Sequence, residues 1–306
     1  MLYVKFAYVR EFILMKKKII FLVFAALLSC NTSPREGRGR IITVSIAPFR
    51  YFVEGIAGDD FIVNVMVPAG SNPHIYEPVP DQINKLRLSE AYISNGSLGF
   101  ELTWLDRFYE INRDMVKLSV GDKIDLIADE HDHHGHGKHF DGADPHFWLS
   151  PRCAKVMASS VYELLCSLNP SAKERYEAGY NSLLEKIVKT DMKADSLLSG
   201  FRGRAFMIYH PNLAYLARDY GLNEIAVEYE GKEPSPSGMK ELIDLARKEN
   251  IRIIFVQREF DNKNAKVIAS EIGANLKVID PLSEDWLGST TDIINSLHES
   301  FLLSGK

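Results

Sequence analysis

The sequence predicts an α/β protein of two Rossmann-like lobes, each built on a parallel four-stranded sheet, joined by one long rigid helix. Three observations predict it. From residue 41 onward, β-branched apolar runs alternate with stretches of helical spacing, which is the pattern of parallel strands covered by helices. Residues 171–199 run nearly thirty residues without proline and hold one internal glycine, Gly179. The chain has 306 residues, 46% of them hydrophobic, enough for about two domains with proper cores.

The elements follow in order. Residues 30–40 are a polar tether without apolar periodicity, with a random-coil reach of about 18 Å. The folded body opens at Ile41 with the strand IITVSIAP, and FIVNVMV (61–67) is a second strand. VPDQINKLRLS (79–89) has helical spacing that turns Ile83, Leu86 and Val79 inward. AYISN (91–95) and MVKLSV (115–120) are short strands, with helical FELTWLDRFYE (100–110) between them. A histidine-rich loop comes next, then the helical PRCAKVMASSVYELLCSLN. Over 171–199 apolar residues recur at three and four: Tyr176, Tyr180, Leu183, Leu184, Ile187, Val188 and Met192. That spacing makes one helix of roughly 40 Å, with Ser171 as its N-cap. Strands resume at 204–210, 223–229, 251–257 and 275–280, separated by helices at 212–220, 237–249 and 262–272. A last helix lies near 290–303. The lobes are therefore 41–170 and 200–306, with 171–199 connecting them.

The N-terminal end reads as an export signal. Lys16, Lys17 and Lys18 follow Met15, and an apolar run from Ile19 to Leu28 ends at Ser29-Cys30. A positive segment, a short apolar segment and a small residue at the end are the parts of a secretory signal. The run falls short of the roughly 20 residues that span a bilayer. Leu27-Leu28-Ser29-Cys30 resembles the bacterial lipobox, which makes Cys30 the lipidated residue and 1–29 the signal region. Met1–Leu14 then lies upstream of a complete signal, so Met15 is the expected start. Residues 1–29 carry five basic groups and one acidic group, and their removal takes the net charge from −5 to −9. An acidic, exported, lipid-anchored body suits the handling of cations. No Lys/Arg cluster with interleaved aromatics marks a nucleic-acid partner. Cys153 and Cys166 stand 13 apart in a helical stretch, roughly 20 Å along the axis, too far for the ~7 Å Cα separation of a disulfide.

Six of the nine histidines fall within 131–148. His131, His133, His134, His136 and His139 lie in a Gly-rich tract that is expected to hold no single geometry, so they read as low-affinity collectors of metal or as a solvated loop. His146 stands apart in Asp-Pro-His-Phe-Trp, stiffened by Pro145 and backed by Phe147 and Trp148. His74 follows the second strand, His210 ends the first strand of the second lobe, and Asp280 ends its fourth. All four sit at carboxyl ends of strands, two per lobe, along the edge where open α/β sheets bind ligands. Neutral imidazole is available to zinc near pH 7, and three nitrogens with one oxygen give a closed tetrahedral shell. Taken singly, each position has a bland reading: a turn residue, a helix cap, a core histidine, an Asp-Pro turn.

The stretches PHIYEPVPDQ, DPHFWLSP, YHPNLAYLARDYGL, EGKEPSPSGMKELI and VIDPL resemble the motifs of the metal-binding lipoproteins of bacterial zinc/manganese ABC importers, over about residues 41–304. The resemblance implies a two-lobed fold with metal held between the lobes, and its ligand positions fall on His74, His146, His210 and Asp280. Manganese-type members tend to carry Glu at the third position. His210 there favours Zn²⁺, with Mn²⁺ as the alternative. Zinc-type members often carry a longer His/Asp/Glu loop before the second ligand, which the short tract 131–139 resembles. The resemblance implies a monomeric, extracytoplasmic protein, on the cell surface or in the periplasm, anchored to the membrane by lipid and serving an ABC permease. It implies no enzyme. Rival readings are a zinc-dependent adhesin and a zinc hydrolase. The latter needs an open water position and a base, for which Glu77 and Glu228 are candidates, and the chain has no HExxH motif. With unperturbed histidines of pKa near 6.5, zinc affinity is expected to fall steeply between about pH 6.5 and 5.

Overall fold

The computed structural model describes residues 39–128, 142–228, 232–260 and 262–305. The signal region, Cys30 and the histidine tract 131–139 lie outside the described residues. The first lobe runs β1 (Ile41–Ile46), α1 (Ala47–Ala57), β2 (Ile62–Val67), α2 (Pro80–Leu86), β3 (Ser89–Ser94), α3 (Gly99–Ile111), β4 (Val116–Ser119) and α4 (Pro151–Leu168). The helix α5 (Lys173–Leu198) leads to the second lobe. That lobe runs β5 (Ala205–Ile208), α6 (Ala214–Tyr220), β6 (Asn223–Ala226), α7 (Pro236–Lys248), β7 (Ile253–Gln257), α8 (Lys263–Ile272), β8 (Asn275–Ile279) and α9 (Trp286–Leu303).

Both sheets are parallel throughout and share one order, β2-β1-β3-β4 and β6-β5-β7-β8. The predicted fold class therefore holds. Strands β1, β5 and β7 are buried along their whole length, as expected of strands covered on both faces. The strands end two to three residues earlier than the apolar runs suggest at Ile208 and Ala226, which leaves His210 and Glu228 in loops beyond the sheet edge.

Sequence periodicity missed α1. Its Phe49, Phe52, Val53 and Ile56 follow the i, i+3, i+4, i+7 rule and are buried. Pro48 reads as the end of a strand but sits in the first helical turn, where its fixed φ favours the helix. Two expectations for the long helix are corrected. Ser171 is not its N-cap: it lies in a 3₁₀ turn (Pro170–Ala172), and its hydroxyl donates to Asn169 Oδ1 at 2.7 Å. The helix starts after Ala172 without a side-chain cap. Its buried stripe is Tyr176, Leu183, Ile187, Thr190, Ala194 and Leu198, whereas Met192 is 68% exposed. Cys153 and Cys166 are both free thiols, as their spacing requires.

One apolar core runs through both lobes. Phe52 and Ile56 of α1, Leu183 and Ile187 of α5, and Ile294, Leu297 and Phe301 of α9 belong to it together. Two tryptophans stitch the seam. Trp148 Nε1 donates to the carbonyl of Pro281 at 2.9 Å, and Trp286 Nε1 donates back to the carbonyl of Trp148 at 2.7 Å. Among the described residues no helix is long and apolar enough to cross a membrane.

Gly179 explains why α5 tolerates a glycine. A Cβ there would lie 2.3 Å from the carbonyl oxygen of Ile56 and 3.0 Å from its Cα. The backbones of α5 and α1 approach so closely that no side chain fits between them. Gly179→Ala improves intrinsic helix propensity by up to about 1 kcal/mol, yet forces apart two packed backbones, which costs about 1–3 kcal/mol. Thermal unfolding is expected to show a lower midpoint for Gly179→Ala, and an unchanged or raised midpoint would contradict the close approach.

Candidate metal site

Each candidate ligand stands on a loop at the carboxyl edge of a sheet, and each loop is fixed by backbone hydrogen bonds. His74 lies between β2 and α2. Its N–H donates to Asn72 Oδ1 at 2.8 Å, and the carbonyl of neighbouring Pro73 accepts from Phe100 N–H at 3.2 Å. His146 follows Pro145, whose carbonyl accepts from Asn95 Nδ2 at 2.9 Å. Asn95 is fixed in turn by Glu101, a wholly buried carboxylate that accepts from the N–H groups of Asn95 at 2.8 Å and Gly96 at 2.7 Å, and from the Ser45 hydroxyl. The β3–α3 loop and the first turn of α3 thus hold the loops of two candidate ligands. His210 follows β5. Its N–H donates to Gln257 Oε1 at 3.3 Å and its carbonyl accepts from Gln257 Nε2 at 2.7 Å.

The structure brings the three histidines together. Their donor nitrogens all lie within 4.8 Å of one another, and the Nε2 atoms of His74 and His210 are 3.1 Å apart. Ligand nitrogens on a tetrahedral zinc ion, each about 2.0–2.1 Å from the metal, stand about 3.3 Å apart. The rings are therefore spaced to share one ion. His146 and His210 are buried, and Trp148 packs against the first while Phe260 stacks on the second at 4.2 Å.

Two carboxylates set the ring chemistry. Asp144 Oδ1 is 2.9 Å from His146 Nδ1, and Glu228 Oε1 is 2.7 Å from His210 Nδ1. A carboxylate accepts, so each Nδ1 carries the proton and each Nε2 lone pair is left for a metal, the usual outer-sphere arrangement of a ligating histidine. Sequence reasoning missed Asp144 and offered Glu228 only as a candidate base. Glu77 is exposed. Burial, joined by the charges of His146 and His210, pulls the His74 imidazole down to about 3. Burial also lowers His210, against the opposing pull of Glu228.

Asp280 is not in the three-histidine cluster, but it is close to it. It stands directly after β8, and the next two residues, Pro281 and Leu282, line the same cavity as the three imidazoles. Its Oδ1 is buried and has no hydrogen-bond partner. A buried carboxylate oxygen without a partner is the expected state of a ligand awaiting its cation.

Gly99 makes the site sensitive to a change outside it. A Cβ at Gly99 would lie 2.7 Å from the His74 carbonyl oxygen and 3.1 Å from its Cα. Gly99→Ala is therefore expected to push the His74 loop off the cluster and weaken metal affinity on the order of tenfold, as loss of supporting contacts does. Competition with a chelating dye measures it. Unchanged affinity would show that α3 does not set the position of His74.

The comparisons with known proteins identify the family of the chain. The model of the family described as zinc-uptake complex component A, periplasmic (ZnuA), matches residues 42–300. The zinc-binding protein AdcA of Streptococcus pyogenes serotype M3 is 27% identical over 291 residues, covering 88% of this chain and 56% of that protein. The zinc-binding lipoprotein AdcA of Streptococcus pneumoniae is 28% identical over 267 residues, covering 84% and 52%. The chain thus spans about half the length of these relatives. A crystal structure of ZnuA matches with a TM-score of 0.79 and 37% identity, covering 86% of this chain and 99% of that one. With a match from residue 42 to 300 and the same fold, the chain belongs to the family of zinc-uptake complex component A.

Proposed function

We propose that this protein captures Zn²⁺ outside the cytoplasm, holding it between the lobes by His74, His146, His210 and Asp280, and delivers it to the permease of an ABC importer. The convergence of three imidazole nitrogens within 4.8 Å carries the reading. Nitrogen donors favour zinc over manganese, as does the Irving–Williams order. With Asp280 added, the protein supplies at least four donors, so no reacting water is needed to fill a tetrahedral shell. Glu228, occupied by His210, does not serve as a base. These features suit a carrier and not a hydrolase. Attachment through a lipid on Cys30 is part of the same reading, supported by its place after the apolar run and by the name of the pneumococcal relative, a lipoprotein.

The four proposed ligands lie outside the tract 131–139 in the sequence. His146→Ala is expected to abolish tight zinc binding in titration calorimetry, while deletion of 131–139 keeps one tight site and removes weak ones. A tract deletion that destroys the tight site would overturn the assignment.

The lowered imidazoles shift the pH range of binding. A free histidine gains a proton below about pH 6.5, and zinc must displace it. A site histidine whose pKa is depressed stays unprotonated to lower pH, so protons compete less with zinc over the range just below 6.5. His74 is drawn down to about 3 and His210 is lowered as well. Zinc affinity is therefore expected to fall less steeply between about pH 6.5 and 5 than three unperturbed histidines would make it. Chelator competition across that range measures it, and a fall as steep as three unperturbed histidines give would show His74 and His210 to be ordinary in pKa.

A further inference from the structure

The cavity holds one more carboxylate that the four-ligand reading leaves unused. Glu259 lies in the turn after β7 and lines the cavity together with His74, His146 and His210. Its Oε1 is buried and has no hydrogen-bond partner, the same condition as Asp280 Oδ1. The residues around it are already committed to the site: Gln257 clamps the His210 backbone through two hydrogen bonds, and Phe260 stacks on the His210 ring. Neither carboxylate is in the cluster formed by the three imidazoles, yet two orphaned carboxylate oxygens at this end of the sheets need an explanation, because a buried carboxylate without a partner is costly. Their mutual repulsion is felt at Glu259, whose carboxyl is raised by burial and then by the charge of Asp280. Three neutral imidazoles bring no charge of their own to the ion, whereas each donor carboxylate attracts it directly.

We propose that Glu259 is a second oxygen donor at the metal centre, completing with Asp280 a shell of three nitrogens and two carboxylate oxygens. This rests on the zinc-binding reading above. A second carboxylate also widens the choice of metal, since Mn²⁺ accepts oxygen donors more readily than nitrogen. Glu259 thus sets how strongly the site discriminates zinc from manganese, a property that the three histidines alone would make steeper.

Glu259→Gln keeps the shape and removes the charge. Zn²⁺ and Mn²⁺ affinities of the wild type, Glu259→Gln, Asp280→Asn and His210→Ala would be measured by competition, with Co²⁺ absorption as the record of coordination number. Glu259→Gln is expected to weaken Zn²⁺ binding about tenfold and Mn²⁺ binding by more, so that the ratio of zinc to manganese affinity rises. Its Co²⁺ bands are expected to intensify toward the four-coordinate pattern. The metal-free variant is expected to melt at or above the wild-type temperature, because a repelling buried charge has gone. A residue with a merely structural role would instead lower that temperature and leave the Co²⁺ spectrum alone. If the metal-free variant melts lower, the Co²⁺ spectrum decides: altered bands support ligation and unaltered bands overturn it. Unchanged zinc and manganese affinities in Glu259→Gln, with Asp280→Asn and His210→Ala both weakened, would leave Asp280 as the sole oxygen donor and overturn the proposal. Tight zinc binding retained by His210→Ala would instead overturn the underlying assignment of the site.

Discussion

Three imidazole nitrogens within 4.8 Å of one another can coexist in a buried space only if the rings are neutral and their lone pairs face inward. Two protonated imidazoles at that distance would repel strongly in a medium of low dielectric. Everything around the cluster serves this requirement. Asp144 and Glu228, one from each lobe, hold the Nδ1 protons of His146 and His210 on the outside of the cluster. Burial keeps additional protons off His74 and His210. The repulsion that remains is relieved when a cation takes the centre, so the protein holds a conformation in which binding is favoured before any ion arrives.

The two lobes solve the problem of placing such a cluster in the same way. Each sheet has the same strand order, and each lobe carries a glutamate that accepts the backbone N–H groups of a loop beside a candidate ligand. In the first lobe Glu101 takes Asn95 and Gly96. In the second, Glu224 takes Asn212 and Leu213, just after His210, at 3.2 and 2.9 Å. Burial raises Glu224 to about 7 against those same hydrogen bonds. Loops that would otherwise be free are made part of the scaffold, which is what a site needs if its geometry is to persist through loading and release.

Much of this was legible in the chain. Alternation of β-branched runs and helical spacing fixes the class, and the strand ends mark His74, His146, His210 and Asp280, because that edge is a property of the topology and not of any one residue. What was not legible depends on tertiary register. The helix α1 hid behind Pro48, which fits a strand end as well as a first helical turn. Met192 and Val188 keep the spacing of a buried stripe but face solvent, because the stripe on α5 drifts around the helix toward Thr190 and Ala194. Asp144 had a local signal, an Asp two residues before a His across a proline, the pattern of a side-chain turn. Glu101 and Glu228 had none, since their partners stand in other elements.

The seam between the lobes has an optical consequence. The chain contains three tryptophans, and two of them, Trp148 and Trp286, are the pair that exchange hydrogen bonds across the lobes. Both indoles are nearly free of solvent, and the centroid of the Trp148 ring lies 5.3 Å from that of His146. Much of the intrinsic emission of this protein is therefore expected from the boundary between the lobes, in surroundings shielded from water. Any change in how the lobes meet falls on a chromophore already in place, so the molecule reports its own state without a label.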